Sequence, residues 1–582
     1  MDRSYEPPVD TIILDTRQVL NKINPAKTLA RQSSILALGT LFSRITGQFR
    51  SIALVAALGA TGMAANAFDI ANNIPNTILV IISGGILNSV LVPQIIKAKN
   101  YSDSQIRLNK LLTFLCLVIL VITLILTLAA PFIIRLYAGV NWTSQQIEFA
   151  VAFSYLCMPQ IFFYGLYTIL GQVASANERF AVYGWAPVAN NLISIIGFCV
   201  FIFYTSQIYK IDSINNFSAW NTPMILILCL TATLGIVAQS LLMFIPLQKS
   251  YFKFKPMFGL RGIGLREISN ISFWSFMIVL LEEFVALVFI KIASDAPIAA
   301  GVMDTASIAG NAAYTQAVTI YIVPYSLVAV SLATTLFTKM AKSASQNNSK
   351  AVAWQLIKAM KTVSVFMVFA SLCLLIEAPH IVKVLIPTVS LYSFGAISSI
   401  LVPFSFILIP ISNILLMKRV FFAYSDAKLV FIYSLPYAAV SLILVLVLTV
   451  FSPPYIWTFL IAVSVAIGYW LDFGFFLRGV RKKLGTNFNY ISLFGFLIKI
   501  VICAVPTILS GVLVKYILGW TYYTAWWTAA GQLLIICLTM LGVYIFMLKF
   551  MKVEQLNFYA KPVISLLRKL TKKKLLNRKI DN

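Results

Sequence analysis

The apolar residues of this chain fall in long uninterrupted blocks, and this pattern restricts the fold more than any other feature. Many blocks reach about 20 residues, the length that a helix needs to cross the hydrocarbon core of a bilayer. We count fourteen of them between residues 33 and 550. Since the 582-residue chain is 60% hydrophobic and only 11% charged, an ordinary soluble enzyme and a disordered protein are both excluded. The sequence therefore predicts an all-α, polytopic membrane protein.

The distribution of positive charge supports fourteen spans and predicts their orientation. When the N-terminus is placed in the cytoplasm and the spans alternate, 37 of the 45 Lys and Arg residues fall in cytoplasmic segments. Cytoplasmic loops of membrane proteins carry such an excess. We therefore predict a multi-pass membrane protein with both termini in the cytoplasm, and we interpret the net charge of +26 as this topology rather than as a nucleic-acid-binding surface.

A weak internal repeat predicts that the spans form two groups of six. The second and eighth spans each have a polar first half followed by a proline, Pro75 and Pro324. Transporters are often built from repeated bundles with interrupted helices. The predicted segments are a cytoplasmic N-terminal segment (1–32), an N-lobe (33–247), a cytoplasmic interfacial linker (248–268), a C-lobe (269–477), spans 13 and 14 (489–550) and a basic cytoplasmic tail (551–582).

Two arginines lie inside the first span, where charge is costly and usually faces a cavity or a partner. Arg44 and Arg50 are six residues apart, which places them about 120° apart around a helix, so both can border one wide cavity. The alternative is that they reach the membrane interface or form structural ion pairs.

The second span carries a polar stripe at the spacing of one helix face, formed by Asn66, Asp69, Asn73 and Asn76. Such groups are costly against lipid, so we expect them to line water and contact substrate. Hydrogen bonding between helices is the alternative. Pro75, Gly84 and Gly85 follow in the same span and are predicted hinge positions, as Pro324 is in the eighth.

Two further spans carry candidate polar groups. Glu282 and Glu283 are adjacent in the seventh span, and we expect an ion site or an ion pair with Arg44 or Arg50. The eighth span has a milder stripe of Asn311, Thr315, Thr319 and Ser326.

His380 is the only histidine, and the chain has no nucleotide-binding or hydrolase motif. We therefore expect no metal, no cofactor and no catalytic residue.

Four stretches between Gly39 and Pro93 form a recognisable pattern: Gly39-Thr-Leu-Phe-Ser-Arg-Ile-Thr-Gly-Gln-Phe-Arg50, Ala65-Asn-Ala-Phe68, Ile74-Pro-Asn76 and Gly84-Gly-Ile-Leu-Asn-Ser-Val-Leu-Val-Pro93. This pattern resembles the MurJ/MviN family of lipid II flippases, part of the MOP (MATE-like) exporter superfamily. The fourth stretch is similar to the actinobacterial branch of that family. Val323-Pro-Tyr-Ser326 resembles the family's eighth helix.

The resemblance implies a function, a set of partners and a location. It implies a transporter, not an enzyme, that moves undecaprenyl-diphosphate-linked muropeptide to the outer leaflet of the bacterial cell membrane for peptidoglycan synthesis, next to membrane lipids and cell-wall synthesis proteins. It implies that Arg44 and Arg50 hold the diphosphate and that spans 13 and 14 form a groove for the lipid tail. The chain departs from the family at Leu79 and Thr319, where many relatives have arginine.

Two other classes of function remain as alternatives. The first is a flippase for another polyprenyl-linked glycan or a MATE-type exporter, although a drug-cation site would favour acidic residues over Arg44 and Arg50. The second is a membrane-embedded glycosyltransferase or polymerase. That class should show a large external loop with catalytic carboxylates, and the predicted external loops are all short.

Overall fold

A computed structural model of the chain describes residues 25–83, 104–176, 181–208, 219–245, 254–259, 270–301, 308–519 and 521–555. Within these ranges the regular structure is entirely helical, as the apolar blocks predict. Eight α-helices precede residue 245. They are α1 (Pro25–Leu58), α2 (Met63–Ile82), α3 (Ser104–Leu128), α4 (Ala130–Tyr137), α5 (Ser144–Cys157), α6 (Gln160–Ala176), α7 (Ala181–Ile208) and α8 (Thr222–Leu241).

Ten more α-helices follow residue 270. They are α9 (Asn270–Ala299), α10 (Asn311–Pro324), α11 (Ser331–Ser345), α12 (Ser349–Leu385), α13 (Leu391–Ser405), α14 (Leu408–Ala423), α15 (Ala427–Phe451), α16 (Trp457–Leu484), α17 (Tyr490–Leu518) and α18 (Trp526–Phe550). Helix α16 continues past the predicted lobe boundary at residue 477, because its last turn carries Arg481, Lys482 and Lys483, and cations at a helix C-terminus stabilise it.

Many of these helices are long and apolar enough to cross a membrane. Among the described residues ten spans meet this description, or eleven when the bent pair α13 and α14, at 50° to each other, is one span. The remaining long helices α1, α2 and α9 have 34, 20 and 30 residues, which at 1.5 Å per residue is also enough to cross. The total of fourteen stays a prediction.

The helices pack as two groups and a C-terminal pair. In the first group α7 packs between α1 and α8, and α2 packs on α5. In the second group α12 packs on α13 and α14, and α15 lies between α9 and α16. Helices α17 and α18 pack on each other and on α12. The two groups meet where α2 contacts α9 and α10, and where α4 contacts α9.

Candidate functional site

The contact between α2 and α10 is polar and buried. Asp69 accepts hydrogen bonds from Thr315 Oγ1 at 2.8 Å, from Asn73 Nδ2 at 2.8 Å and from the side chain of Asn311. Asn66, which is fully buried, accepts from the backbone N–H of Ala312 at 2.9 Å. We call the contacts of Asn66, Asp69, Asn311 and Thr315 the polar joint.

A glycine allows the two helices of the polar joint to approach this closely. Gly310 precedes α10, and a Cβ atom at this position would lie 2.6 Å from Asn66 Oδ1. A Cβ atom at residue 310 would displace the Asn66 amide from the position in which it accepts from Ala312, since real Cβ atoms do not approach other atoms so closely. The polar joint therefore depends on residue 310 having no side chain.

A second polar contact joins the loop after α4 to the end of α9. Asp295 accepts from the backbone N–H of Asn141 at 2.8 Å and from its side-chain amide at 2.9 Å. The indole of Trp142 donates to the carbonyl of Ser294 at 3.0 Å. Gly139 again lacks a side chain where a Cβ atom would lie 2.6 Å from Asp295 Cα. We call this the loop contact.

Helix α1 contributes further bonds at the same end of the molecule. Gln48 donates to the carbonyl of Leu385 at 2.9 Å, and Ser51 donates to Gln316 at 2.5 Å. The hydroxyls of Thr61 and Ser393 are 2.7 Å apart. These residues lie in the C-terminal half of α1 or just beyond it, so the two groups are joined where α1 ends.

Burial decreases along α2 and α10 away from this end, which is the pattern expected when two groups of helices diverge. Residues 63–71 of α2 are all buried, whereas Asn73 is half-buried and both Asn76 and Val80 are exposed. On α10, Asn311 is buried, Thr319 is half-buried and Ile322 is exposed. A gap between the groups therefore opens toward the end where α1 begins.

The two arginines of α1 lie on the side of the polar joint where α1 begins. Arg44 is exposed, and Arg50, half-buried, is close enough to the Tyr164 phenol of α6 to interact with it electrostatically. Neither arginine forms an ion pair with a described carboxylate. Their positive charge is thus free to attract an anion that enters the gap.

The paired glutamates have other partners than Arg44 and Arg50. Glu282 forms an ion pair with Lys418 of α14 at 2.9 Å, and the buried Asp472 of α16 also acts on Lys418 electrostatically. Glu283 acts electrostatically on Tyr137 of α4. Glu282 therefore pairs with a lysine that lies 136 residues away, and not with Arg44 or Arg50.

The predicted hinge positions have different local structures. Pro324 is followed directly by a π-helical turn, Tyr325–Val330, because proline lacks the N–H that a regular α-helix requires. Pro75 lies inside α2 and is buried. Gly84 and Gly85 lie outside the described residues.

Sequence reasoning identified the polar residues on both sides of the polar joint but did not predict that they meet, and it missed the loop contact. The stripe on α2 and the milder stripe on α10 were both visible, and Thr319 bonds only within α10, to the carbonyl of Thr315 at 3.0 Å. Asp295 could have been found, because a carboxylate near the end of an apolar helix usually has a partner. No sequence pattern pointed to Lys418 or Asn141, because each of them contacts a residue that is far away along the chain.

Comparison with known proteins places this geometry in a family. The family model described as lipid II flippase MurJ matches residues 54–531. A probable lipid II flippase MurJ from Borreliella burgdorferi is 23% identical over 81% of this chain and 87% of its own length. One from Buchnera aphidicola subsp. Baizongia pistaciae is 26% identical over 40% of this chain. That match spans 42% of the Buchnera protein, less than half its length.

Solved structures with the same fold include two kinds of transporter. A lipid II flippase MurJ in an inward closed conformation superposes with a TM-score of 0.65, covering 91% of this chain and 99% of that one at 18% identity. An inward-facing MATE-family multidrug transporter of the MOP superfamily gives a TM-score of 0.61 over 79% of this chain and 98% of its own, at 13% identity. At these identities the superpositions establish the fold alone.

Proposed function

Because the chain belongs to the lipid II flippase MurJ family, we propose that it moves undecaprenyl-diphosphate-linked muropeptide from the inner to the outer leaflet of the bacterial cell membrane. It does so as a transporter, by alternating access and without covalent chemistry. Residues 33–247 and 269–477 form the two lobes, and residues 489–550 hold the lipid tail.

The observation that carries this proposal is the polarity of the lobe interface. The lobes are joined by hydrogen bonds at one end and diverge at the other, where Arg44, Asn76 and Thr319 are accessible or half-accessible. An interface held by hydrogen bonds can open to water at small net cost, because water replaces each lost bond. That property suits a gate that must open once in every transport cycle.

The positive charges orient this gate. The open end is where α1 begins, and Lys339, Lys350 and Arg481 lie there. Because cytoplasmic loops carry an excess of Lys and Arg, we assign the open end to the cytoplasmic side. The polar joint and the loop contact then close the external side. The conformation described here would accept substrate from the inner leaflet.

Each predicted site residue has a role in this scheme. Arg44 and Arg50 attract and hold the diphosphate through charge-assisted hydrogen bonds. Asn73, Asn76 and Thr319 bond sugar or peptide, whereas Asn66 and Asp69 act in the gate and become available to substrate when it opens. The lobes rock about Pro75, the Gly84-Gly85 pair and Pro324.

Glu282 has a structural role in the C-lobe. Its pair with Lys418 neutralises the charge of this carboxylate, so Glu282 is not a free anionic site for a drug cation. This contact favours the flippase over the MATE-type alternative, even though the MATE fold is shared.

The proposal is tested in a bacterium that lacks its own lipid II flippase and depends on this chain. Depletion should cause lipid II to accumulate on the cytoplasmic side, while precursors of other polyprenyl-linked glycans stay at their usual level. Accumulation of a different polyprenyl-linked glycan would assign that substrate instead. Normal export of every lipid-linked glycan would contradict the proposal.

A further inference from the structure

A lysine of α12 lies against the start of α17 and forms no ion pair with a described carboxylate. Lys361 Nζ donates to Ser492 Oγ at 2.7 Å and lies 5.5 Å from the ring centre of Phe496. No described carboxylate lies within ion-pair distance of it. An ammonium has three donors, so at least one remains for a ligand oxygen.

A second lysine lies on the same face of α17, deeper in the membrane. Lys499 follows Ser492 by seven residues, which is two helical turns, so the two side chains are within about 20° of each other around the helix and about 10 Å apart along it. Lys499 is exposed, and it is close enough to Lys361 to repel it electrostatically.

The charged residues around Lys361 and Lys499 are mostly positive. Glu554 is the described carboxylate that acts on Lys361 electrostatically, and it is exposed. Lys549 and Lys552 lie near it at the end of α18 and are exposed as well. The local charge therefore favours an anion.

The apolar residues around Lys499 indicate which kind of anion fits. Ile498 and Ile502 are 59% and 46% exposed on the same stretch of α17, on the outer surface of the helix bundle. A fully hydrated ion would have to leave water to reach Lys499 between such side chains, whereas a lipid already lies there. The phosphate of a lipid sits at the membrane interface, and a lysine below that level reaches up to it.

We propose that Lys361, Ser492 and Lys499 bind the phosphate of an anionic glycerophospholipid from the inner leaflet. The two ammonium groups flank the phosphate, the Ser492 hydroxyl lies between them, and an acyl chain runs along Ile498 and Ile502. Inner leaflets are rich in anionic lipid, which attracts lysines at the cytoplasmic side. This site is separate from the gap that holds Arg44 and Arg50. It shares α17 with the segment that we assign to the lipid tail of the substrate, and competition with undecaprenyl diphosphate distinguishes the two lipids.

The test uses the full chain in nanodiscs of phosphatidylcholine with increasing phosphatidylglycerol, and native mass spectrometry of the lipid that it retains. Lys361→Gln combined with Lys499→Gln should lower the retention of phosphatidylglycerol on the order of tenfold, because each lysine near the surface contributes attraction to anionic lipid. The matched control is Lys358→Gln, since Lys358 lies one turn earlier on α12 and stacks on the exposed Trp354 at 4.7 Å. That control should keep wild-type retention.

Each other outcome overturns the site. Equal loss per charge removed in the control and in the double variant would mean that only bulk charge attracts the lipid. Unchanged retention in the double variant would exclude both lysines from the site. Inorganic phosphate and undecaprenyl diphosphate are added separately as competitors. Displacement by inorganic phosphate would show a soluble-anion site, and preferential binding of undecaprenyl diphosphate would assign the site to the substrate. If the double variant does not fold, Lys499→Gln alone decides, because that side chain is exposed.

Discussion

The polar joint and the contact of α12 with α17 and α18 both hold long helices together, but they use opposite chemistry. In the polar joint, Asp69 and Asn66 exchange hydrogen bonds with the opposite lobe. The C-terminal contact is built mainly from buried apolar residues, among them Phe496, Ile500 and Met540, and we call it the apolar joint.

The difference predicts which of the two moves. Opening the polar joint exposes it to a cavity where water replaces the lost bonds, at a net cost of about 0.5–1.5 kcal/mol per bond. Separating the apolar joint would expose the fully buried Glu377, next to Lys515, to hydrocarbon that offers no replacement. We therefore expect the polar joint to open during transport while the apolar joint stays closed.

The largest effect should come from locking the lobes covalently beside the polar joint. Thr61→Cys with Ser393→Cys replaces two hydroxyls that are 2.7 Å apart, so the thiols would be within disulfide reach. Oxidation should abolish complementation of a flippase-depleted strain, and a reductant should restore it. Full activity of the cross-linked protein would mean that this end never opens.

The chain contains its own control for that experiment. The thiols of Cys373 on α12 and Cys537 on α18 interact with each other across the apolar joint. Oxidation of the wild-type chain should leave transport unchanged, because α12 and α18 do not separate. Inhibition of the wild-type protein by a Cys373–Cys537 disulfide would show that the apolar joint moves as well.

The next effect concerns the cation that lies between the polar joint and the open end. Arg50→Ala should lower transport by about 100-fold and abolish complementation, because hydrogen bonds to charged groups contribute about 1.5–3 kcal/mol each. The variant should still fold and insert, since Arg50 has no described ion-pair partner whose charge would be left alone. Arg50→Lys keeps the charge but loses the two-pronged guanidinium, so it should retain part of the activity.

Two outcomes would change the role of Arg50. Complementation by Arg50→Ala would remove it from the binding surface. Misfolding of Arg50→Ala that is rescued by Glu283→Gln would identify a structural ion pair in another conformation of the protein.

The sequence predicted the helices and the polar faces better than it predicted the partners. Length and hydropathy fix where a helix can span, and the spacing from Asn66 to Asn76 fixes which residues share a face. Spacing cannot tell what lies opposite that face. Asp69 and Thr315 are 246 residues apart, and only the folded chain shows that they meet.

A smaller effect should follow from filling the space at the loop contact. Gly139→Ala places a Cβ atom against Asp295, and overpacking of this kind costs about 1–3 kcal/mol. The loop contact, which we propose closes the external side, should therefore lose stability, and a membrane-impermeant thiol reagent added outside should label an Asn73→Cys reporter about tenfold faster.

The control for Gly139→Ala is another glycine with free space. Gly395→Ala on α13 adds a Cβ atom that meets nothing within 4 Å, so labelling should stay at the rate of the parent chain. The same labelling rate in both variants would show that close approach at Gly139 does not hold the lobes together.

The smallest effect should come from Asp69→Asn, which keeps the shape of the side chain and removes its charge. One oxygen of Asp69 accepts from Asn73 and the other accepts from Asn311 and Thr315, whereas an amide has a single accepting oxygen, so at least one of these bonds is lost. A loss of about 1 kcal/mol would raise the open population and the external labelling rate of a reporter about fivefold. The reporter here should be Asn76→Cys, since Asn73 is itself a partner of Asp69.

Asp472→Asn is the matched control, because it removes a buried carboxylate from the C-lobe, away from the polar joint, and should leave labelling unchanged. Equal effects of the two variants would mean that loss of buried charge, and not the polar joint, controls closure. When Asp69→Asn is combined with Gly139→Ala, the free-energy changes of the two variants should add, since both act on one opening equilibrium through separate contacts.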